Sequence, residues 1–376
     1  MKPNTDAEDA RRSRRAFLKA LGVGVFGSGL AAGVLVRAWR PASRVLATDE
    51  TPDAGDVPDA GDAGNAAAGS YPAYLALHAS GELKQRAEAL WDRMRTCTIC
   101  PRACGARRLD GARGFCQAPG DRLVLSGASA HFGEERPLVG RRGSGTIFFS
   151  HCNLRCVFCQ NWEISHRGRG SGHSLDDLAG MMLRLQDRGC HNINVVTPTH
   201  YLPHILKALD RAAGRGLRIP IVYNTSGWER LDIVRQLDGI VDIYLPDIKF
   251  ADGELAERLA GAPSYPEVTK AAVAEMHRQV GVARTPDDGV MRRGLMIRHL
   301  VMPNQTADSI RIMEWIAETL PLDTYINIMA QFSPHFQAFN HPDIARRVTR
   351  EEYRKVVQRA QALNLTNLDT RTLWWR

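Results

Sequence analysis

Ser150-His151-Cys152-Asn153-Leu154-Arg155-Cys156-Val157-Phe158-Cys159-Gln160-Asn161 sets three cysteines at C-x3-C-x2-C spacing. Thiolates are soft ligands that favour iron–sulfur clusters, zinc or Cu(I). Softness and tight spacing favour a cluster over zinc, and zinc over purely structural thiols. Three cysteines hold three irons of a [4Fe–4S] cube, whereas a closed cluster takes four. The fourth iron is then open to a substrate, which makes such a site reactive rather than a plain electron carrier.

Outward from this loop, short apolar runs alternate with amphipathic segments. The predicted strands are 146–149, 193–196, 219–223, 241–245, 295–301 and 325–329. They are rich in Ile, Val, Tyr and Phe, and their near-continuous apolar character suits strands buried on both faces of a parallel sheet. Predicted helices span 175–188, 202–215, 229–237, two segments within 253–280, 309–320 and 350–363. Ser174 with Asp177 opens the first of them and Gly189 stops it. The succession predicts an α/β fold, a partial (β/α)6 TIM-like barrel, with active residues at the C-terminal ends of its strands.

Polar groups do gather at those ends. The cysteine loop follows the first strand. The second strand runs into Thr197-Pro198-Thr199-His200 and the third into Asn224-Thr225-Ser226-Gly227. The fourth ends in Pro246-Asp247-Ile248-Lys249, the fifth contains Arg298-His299, and the sixth runs into Ala330-Gln331-Phe332-Ser333.

The cysteine spacing, the aromatic Phe158 before the third cysteine and Gln160-Asn161 after it resemble the cluster loop of radical S-adenosylmethionine (SAM) enzymes. Within that superfamily the chain is similar to glycyl-radical activating enzymes, and most to a PflX-like group related to the pyruvate formate-lyase activating enzyme. The resemblance covers roughly residues 95–365. It implies a [4Fe–4S] cluster on Cys152, Cys156 and Cys159, whose open iron binds SAM. Reductive cleavage of SAM then yields a 5′-deoxyadenosyl radical, chemistry carried by the cofactor and positioned by the protein. It further implies that Asn224, Thr225 and Gly227 lie near SAM. Lys249 would meet the SAM carboxylate, and Asp247 a ribose hydroxyl or a cation. Arg298 matches a basic position on the fifth strand less tightly; His299 is as readily a satisfied core residue. No catalytic residue is assigned beyond the cluster ligands. One departure stands out: activating enzymes end their second strand in a glycine-rich stretch with an acid for the SAM amino group. Here no carboxylate is present, and Thr197 or Thr199 takes that place.

A second cysteine set, Cys97, Cys100, Cys104 and Cys116, lies upstream. Four thiols in so short a segment can enclose an auxiliary cluster or zinc, or serve as redox-active or structural thiols. Cys190 stands alone and reads as a buried neutral thiol. Trp374 and Trp375 are expected to pack against the barrel.

The net charge of +8 divides unevenly along the chain. Residues 1–47 contribute nine bases and three acids, residues 48–70 six acids and no base, and the remainder +8. No basic cluster interleaved with aromatics occurs in that remainder, so no nucleic-acid partner is expected. Ser13-Arg14-Arg15-Ala16-Phe17-Leu18-Lys19 resembles a twin-arginine export signal. The uncharged run 20–36 reads as its apolar region, or at most a marginal anchor. Residues 48–70 repeat Pro-Asp-Ala-Gly-Asp and read as a disordered acidic linker, lacking large apolar groups to offset ordering entropy. The expected organisation is leader 1–47, linker 48–70, a helical and Cys-rich extension 71–142 and a barrel 143–376. Export through the twin-arginine machinery would place the protein in the periplasm or at the membrane; an idle leader would leave it in the cytoplasm.

The expected function is radical generation on a protein or peptide partner, fed by an electron donor. The alternatives are radical chemistry on a small molecule, or an exported iron–sulfur electron carrier. A carrier has no need of Asp247, Lys249 or an open iron.

Overall fold

The computed structural model describes residues 71–371, which fall in a single unit by their contacts. The leader, the linker and the two terminal tryptophans lie outside the described residues. Two helices come first, α1 (Tyr74–Ser80) and α2 (Glu82–Asp92). They dock on the barrel: the Ala73 N–H donates to Asp242 Oδ1 (2.8 Å). After the second cysteine set come β1 (Leu123–His131), the short α3 (Arg136–Val139) and β2 (Ser144–Phe149). The cysteine loop and the short α4 (Trp162–Ser165) lead to β3 (Ser171–His173).

Regular alternation then follows. It runs α5 (Leu175–Asp187), β4 (Ile193–Val196), α6 (Leu202–Gly214), β5 (Ile221–Thr225), α7 (Leu231–Arg235) and β6 (Ile243–Pro246). It continues with α8 (Gly253–Ala260), α9 (Tyr265–Val280), β7 (Gly294–Leu300), α10 (Thr306–Thr319), β8 (Tyr325–Met329), α11 (Arg350–Ala362) and β9 (Leu368–Asp369). The Ser174–Asp177 capping box forms as expected, and Gly189 follows the helix with φ +80°.

The sheet has the order β3-β1-β2-β4-β5-β6-β7-β8-β9. From β2 onward neighbours are parallel; β1 is antiparallel to both β2 and β3. The six expected strands are therefore its centre. β1 and the edge strands β3 and β9 are additions, and β1 ties the cysteine-rich segment into the barrel sheet. Four strands separate β1 from β7, which in a flat sheet would be about 24 Å at ~4.8 Å per strand. Yet Glu134, just past β1, lies 3.5 Å from Arg298 on β7. Its neighbour Glu135 accepts from Asn327 Nδ2 on β8 (2.9 Å). The sheet is curled, and its interior is where these side chains meet.

Alternation along each strand sorts the residues. Ile147, Ile193, Val195, Tyr223, Ile297 and Ile326 join the main core beneath the helices. Val222, Ile243, Leu245 and Met296 form a smaller cluster with Leu138 of α3. Among the described residues no helix is long and apolar enough to cross a membrane.

Candidate active site

The cysteine loop is pinned by main-chain bonds from three directions. The Arg155 and Val157 N–H groups donate to Ala260 O (3.1 Å) and Leu259 O (2.9 Å) at the end of α8, and His151 N–H to Ile164 O (2.9 Å). Gln337 N–H reaches Val157 O (2.9 Å). Phe158 wedges against Phe250 and Phe332. The loop therefore presents Cys152, Cys156 and Cys159 on one apolar cluster. Leu154 N–H donates to Cys152 Sγ (3.4 Å), and Cys159 Sγ lies 3.1 Å from Ser165 Oγ. Burial pushes the Cys152 thiol up to about 11 and that of Cys156 higher still, while the nearby Lys249 ammonium opposes both. His151 is driven down to about 4 by burial and by Arg113, Arg155 and Arg108.

Facing the loop, the ends of β5, β6 and β7 carry an interlocked charge network. Asp247 accepts from Lys249 Nζ (2.5 Å) and from Arg298 Nε (2.8 Å). Arg298 Nη2 donates to Asn224 Oδ1 (2.6 Å). Burial alone would raise Asp247; Arg298 and Lys249 outweigh it and hold the carboxyl below its ordinary range. Burial would likewise lower Lys249, and Asp247 overrides it upward. Gly227 makes the close approach possible: with φ +80°, an added Cβ would meet Asp247 O at 2.1 Å. Tyr265 Oη fastens both turns: its single proton lies between Ser226 O (2.7 Å) and Asp247 O (3.0 Å), and it accepts from Lys249 N–H (3.0 Å).

Against this geometry, the sequence of residues 146–316 matches the profile of the Radical SAM superfamily. The uncharacterized protein MJ0674 of Methanocaldococcus jannaschii is 33% identical over 281 residues, 72% of this chain and 76% of that protein. The chain belongs to the radical SAM superfamily. Among solved structures, Streptococcus suis SuiB bound to the precursor peptide SuiA is similar at 15% identity and TM-score 0.41, over 59% of this chain and 46% of that one. SuiB bound to S-adenosylmethionine is similar at 14% identity and TM-score 0.40, over 59% and 48%. The chain thus spans a little under half the length of those SuiB chains.

Radical SAM membership implies a [4Fe–4S] cluster and SAM. The donor set fits: three thiols on one loop, of which burial makes Cys152 and Cys156 costly to ionise in the bare protein, become thiolates when a cationic iron centre binds and protons leave. Among the described residues no group of three or more His, Cys, Asp and Glu is arranged to hold a metal ion. The thiols of a cube bind three different irons and have no need to converge on one point.

Not every residue named from sequence faces the loop. The Thr199 and Thr225 hydroxyls both donate to Glu229 Oε1, the former at 2.6 Å. Glu229 is 0% exposed, and burial raises its carboxyl to about 7 against the pull of these hydroxyls. The expected helix 229–237 in fact starts at Leu231, because Glu229 turns inward instead of capping the helix in solvent. Thr197 is half-buried at the end of β4. His299 is a core residue: its ring nitrogens meet Ile248 O (2.7 Å) and Ser309 Oγ (2.8 Å).

The barrel interior also holds groups that sequence reasoning missed. Glu134 faces Arg298, and burial raises its carboxyl to about 7 although Arg298 opposes this. Glu135 Oε2, both amide atoms of Asn194 and Asn224 Nδ2 are buried without protein partners. Asn194 had a readable signal, a lone amide inside an apolar run; Glu134 and Glu135 had none.

The second cysteine set folds as a turn-rich segment against the cysteine loop. Cys97, Cys100 and Cys116 are buried and Cys104 is exposed. Burial lifts Cys100 to about 12 and raises Cys116 as well. Gly114 packs so tightly on Cys104 that a Cβ there would lie 2.5 Å from its Sγ. Cys190 is buried and free, as its lone position suggested.

Proposed function

We propose that the protein holds a [4Fe–4S] cluster on Cys152, Cys156 and Cys159 and generates a radical on a protein or peptide partner, in the manner of glycyl-radical activating enzymes. When bound, the cluster supplies the electron that cleaves SAM to a 5′-deoxyadenosyl radical. The observation that carries the reading is the Asp247–Lys249–Arg298–Asn224 network facing the cysteine loop at the ends of successive strands. Lys249 offers its ammonium to a carboxylate. Asp247 accepts from a hydroxyl or ammonium group. Arg298 fixes Asp247 from behind, and Asn224 keeps a free amide donor. Anaerobically reconstituted protein given dithionite and SAM is expected to release 5′-deoxyadenosine. Cys156→Ala is expected to abolish the release with the fold intact, and normal cleavage by that variant would refute the assignment.

A small-molecule target is the second reading. It is favoured by the unpartnered Asn194 amide and Glu135 Oε2 in the barrel interior. A radical signal transferred to a candidate partner polypeptide, detected by electron paramagnetic resonance (EPR), separates the two.

The upstream cysteines are proposed to hold a second centre, a cluster or zinc. Iron and zinc analysis of a Cys152/Cys156/Cys159 triple alanine variant tests this: retention of neither metal leaves plain thiols. Export by Arg14 and Arg15 is proposed on the sequence alone. Fractionation of cells carrying the native chain or Arg14→Lys/Arg15→Lys decides it, since lysine does not reproduce the planar guanidinium.

A further inference from the structure

Four arginines surround the junction of the two cysteine segments, and none is ion-paired with a carboxylate. Arg102 Nε donates to Asn153 O (3.0 Å), beside Cys152, with its guanidinium between the rings of Phe115 (3.8 Å) and Trp228 (4.7 Å). Arg155, inside the catalytic loop, reaches back to Phe115 O (2.7 Å) and lies 5.1 Å from the same ring. Arg108 is 1% exposed, donates to His200 O (2.8 Å) and Pro119 O (3.0 Å), and brings Nη1 within 4.0 Å of Cys97 Sγ. Arg113 donates to Gln117 O (2.8 Å), next to Cys116. All these oxygens are main-chain carbonyls, which orient a guanidinium without cancelling its charge. Glu257 acts on Arg102 through its charge, without an ion pair.

Elsewhere the arginines of this chain are commonly paired, for example Arg86 with Glu82, Arg258 with Asp343 and Arg298 with Asp247. A buried cation such as Arg108 is costly unless something anionic belongs beside it, and the part-buried Arg102 and Arg155 and the exposed Arg113 add charge of the same sign around it. Thiolate-ligated iron–sulfur centres are anionic, and reduction adds one more negative charge. Net charge near a cluster is a recognised lever on its potential.

We propose that Arg102, Arg108, Arg113 and Arg155 form an electrostatic collar that raises the reduction potential of the centre on Cys152, Cys156 and Cys159. The inference rests on the cluster assignment above. The step concerned is the gain of one electron by the oxidised [4Fe–4S] cluster from a low-potential reductant such as dithionite, with no bond made or broken. These arginines act through the cluster's charge and are positioning residues.

The test is an EPR-monitored redox titration of reconstituted full-length protein, following the signal that SAM perturbs. Arg102→Gln and Arg113→Gln remove one charge each; Arg102→Lys keeps it. Arg113 is exposed and bonded to one carbonyl, so its variant tests the charge without threatening the fold. Arg102→Gln is expected to lower the reduced-to-oxidised ratio at fixed potential about tenfold, which is about 59 mV for a one-electron couple. Arg113→Gln should shift it the same way by less, and Arg102→Lys should retain most of the native value. Unchanged potentials in both glutamine variants, with the SAM-responsive signal intact, would overturn the collar and leave the cluster assignment standing. Absence of any SAM-responsive signal in the native protein would overturn both.

Discussion

Two charged regions flank the cysteine loop and are built on opposite rules. At the ends of β5 to β7 each formal charge has a side-chain partner of the opposite sign, and direct bonds orient Asp247, Lys249 and Arg298 against one another. At the collar the guanidiniums rest on main-chain carbonyls and keep their field. Paired charges specify geometry; unpaired ones specify potential.

The comparison breaks first, and with the largest effect, at Asp247. Asp247→Asn strips Lys249 of its carboxylate and leaves Arg298 with Glu134 alone, a loss of about 3 kcal/mol by analogy with halved buried ion pairs. Urea unfolding should show that fall, and binding of SAM to the reconstituted protein should weaken with it. A collar substitution should behave otherwise: Arg113→Gln should stay within about 0.5 kcal/mol of native stability.

Glu229 gives the next effect, readable as a pH dependence. Its carboxyl is raised to about 7 in the folded chain, from an ordinary 4.5. The native state therefore holds a proton that the unfolded chain has released, and stability falls as pH rises from 4.5 through 7. Two threonine hydroxyls occupy Oε1, and the buried Tyr223 hydroxyl also acts on this carboxyl. Glu229→Gln should flatten this slope, checked by melting temperature across the window; an unchanged slope would mean the carboxyl ionises normally. Gly227→Ala disturbs the turn itself. The left-handed backbone costs about 1–2 kcal/mol with a side chain, and the contact with Asp247 O adds displacement of the turn. Chemical denaturation of that variant, beside its affinity for SAM, shows whether the turn or the network suffers more.

The parallel core was legible in the sequence because strands buried on both faces are written as apolar runs. The runs 193–196 and 325–329 coincide with β4 and β8, and the other central strands differ by one or two residues at their ends. β1 escaped notice because its second half, Ser-Gly-Ala-Ser-Ala-His, is half-exposed and carries no β-branched residue. β3 is three residues long and β9 two, too short for any period. At the site, Asp247, Lys249, Arg298 and Asn224 were legible as polar breaks at strand ends, and the structure joins all four in one network. Thr199 and Thr225 were legible as polar but not in direction; both point to Glu229, whose burial no local pattern announces. Glu134 and Glu135 reach the interior only because the sheet curls, a property of the assembled barrel.

The collar's anchorage also bears on how such a chain can change over time. A carbonyl oxygen is present whatever side chain a position carries, so replacing Gln117, Pro119 or Ser165 would leave the acceptor for its arginine in place. Selection would then act on the donors alone. Among related sequences the expected trace is a set of fixed arginines surrounded by drifting neighbours, a pattern that a search for co-varying pairs would pass over.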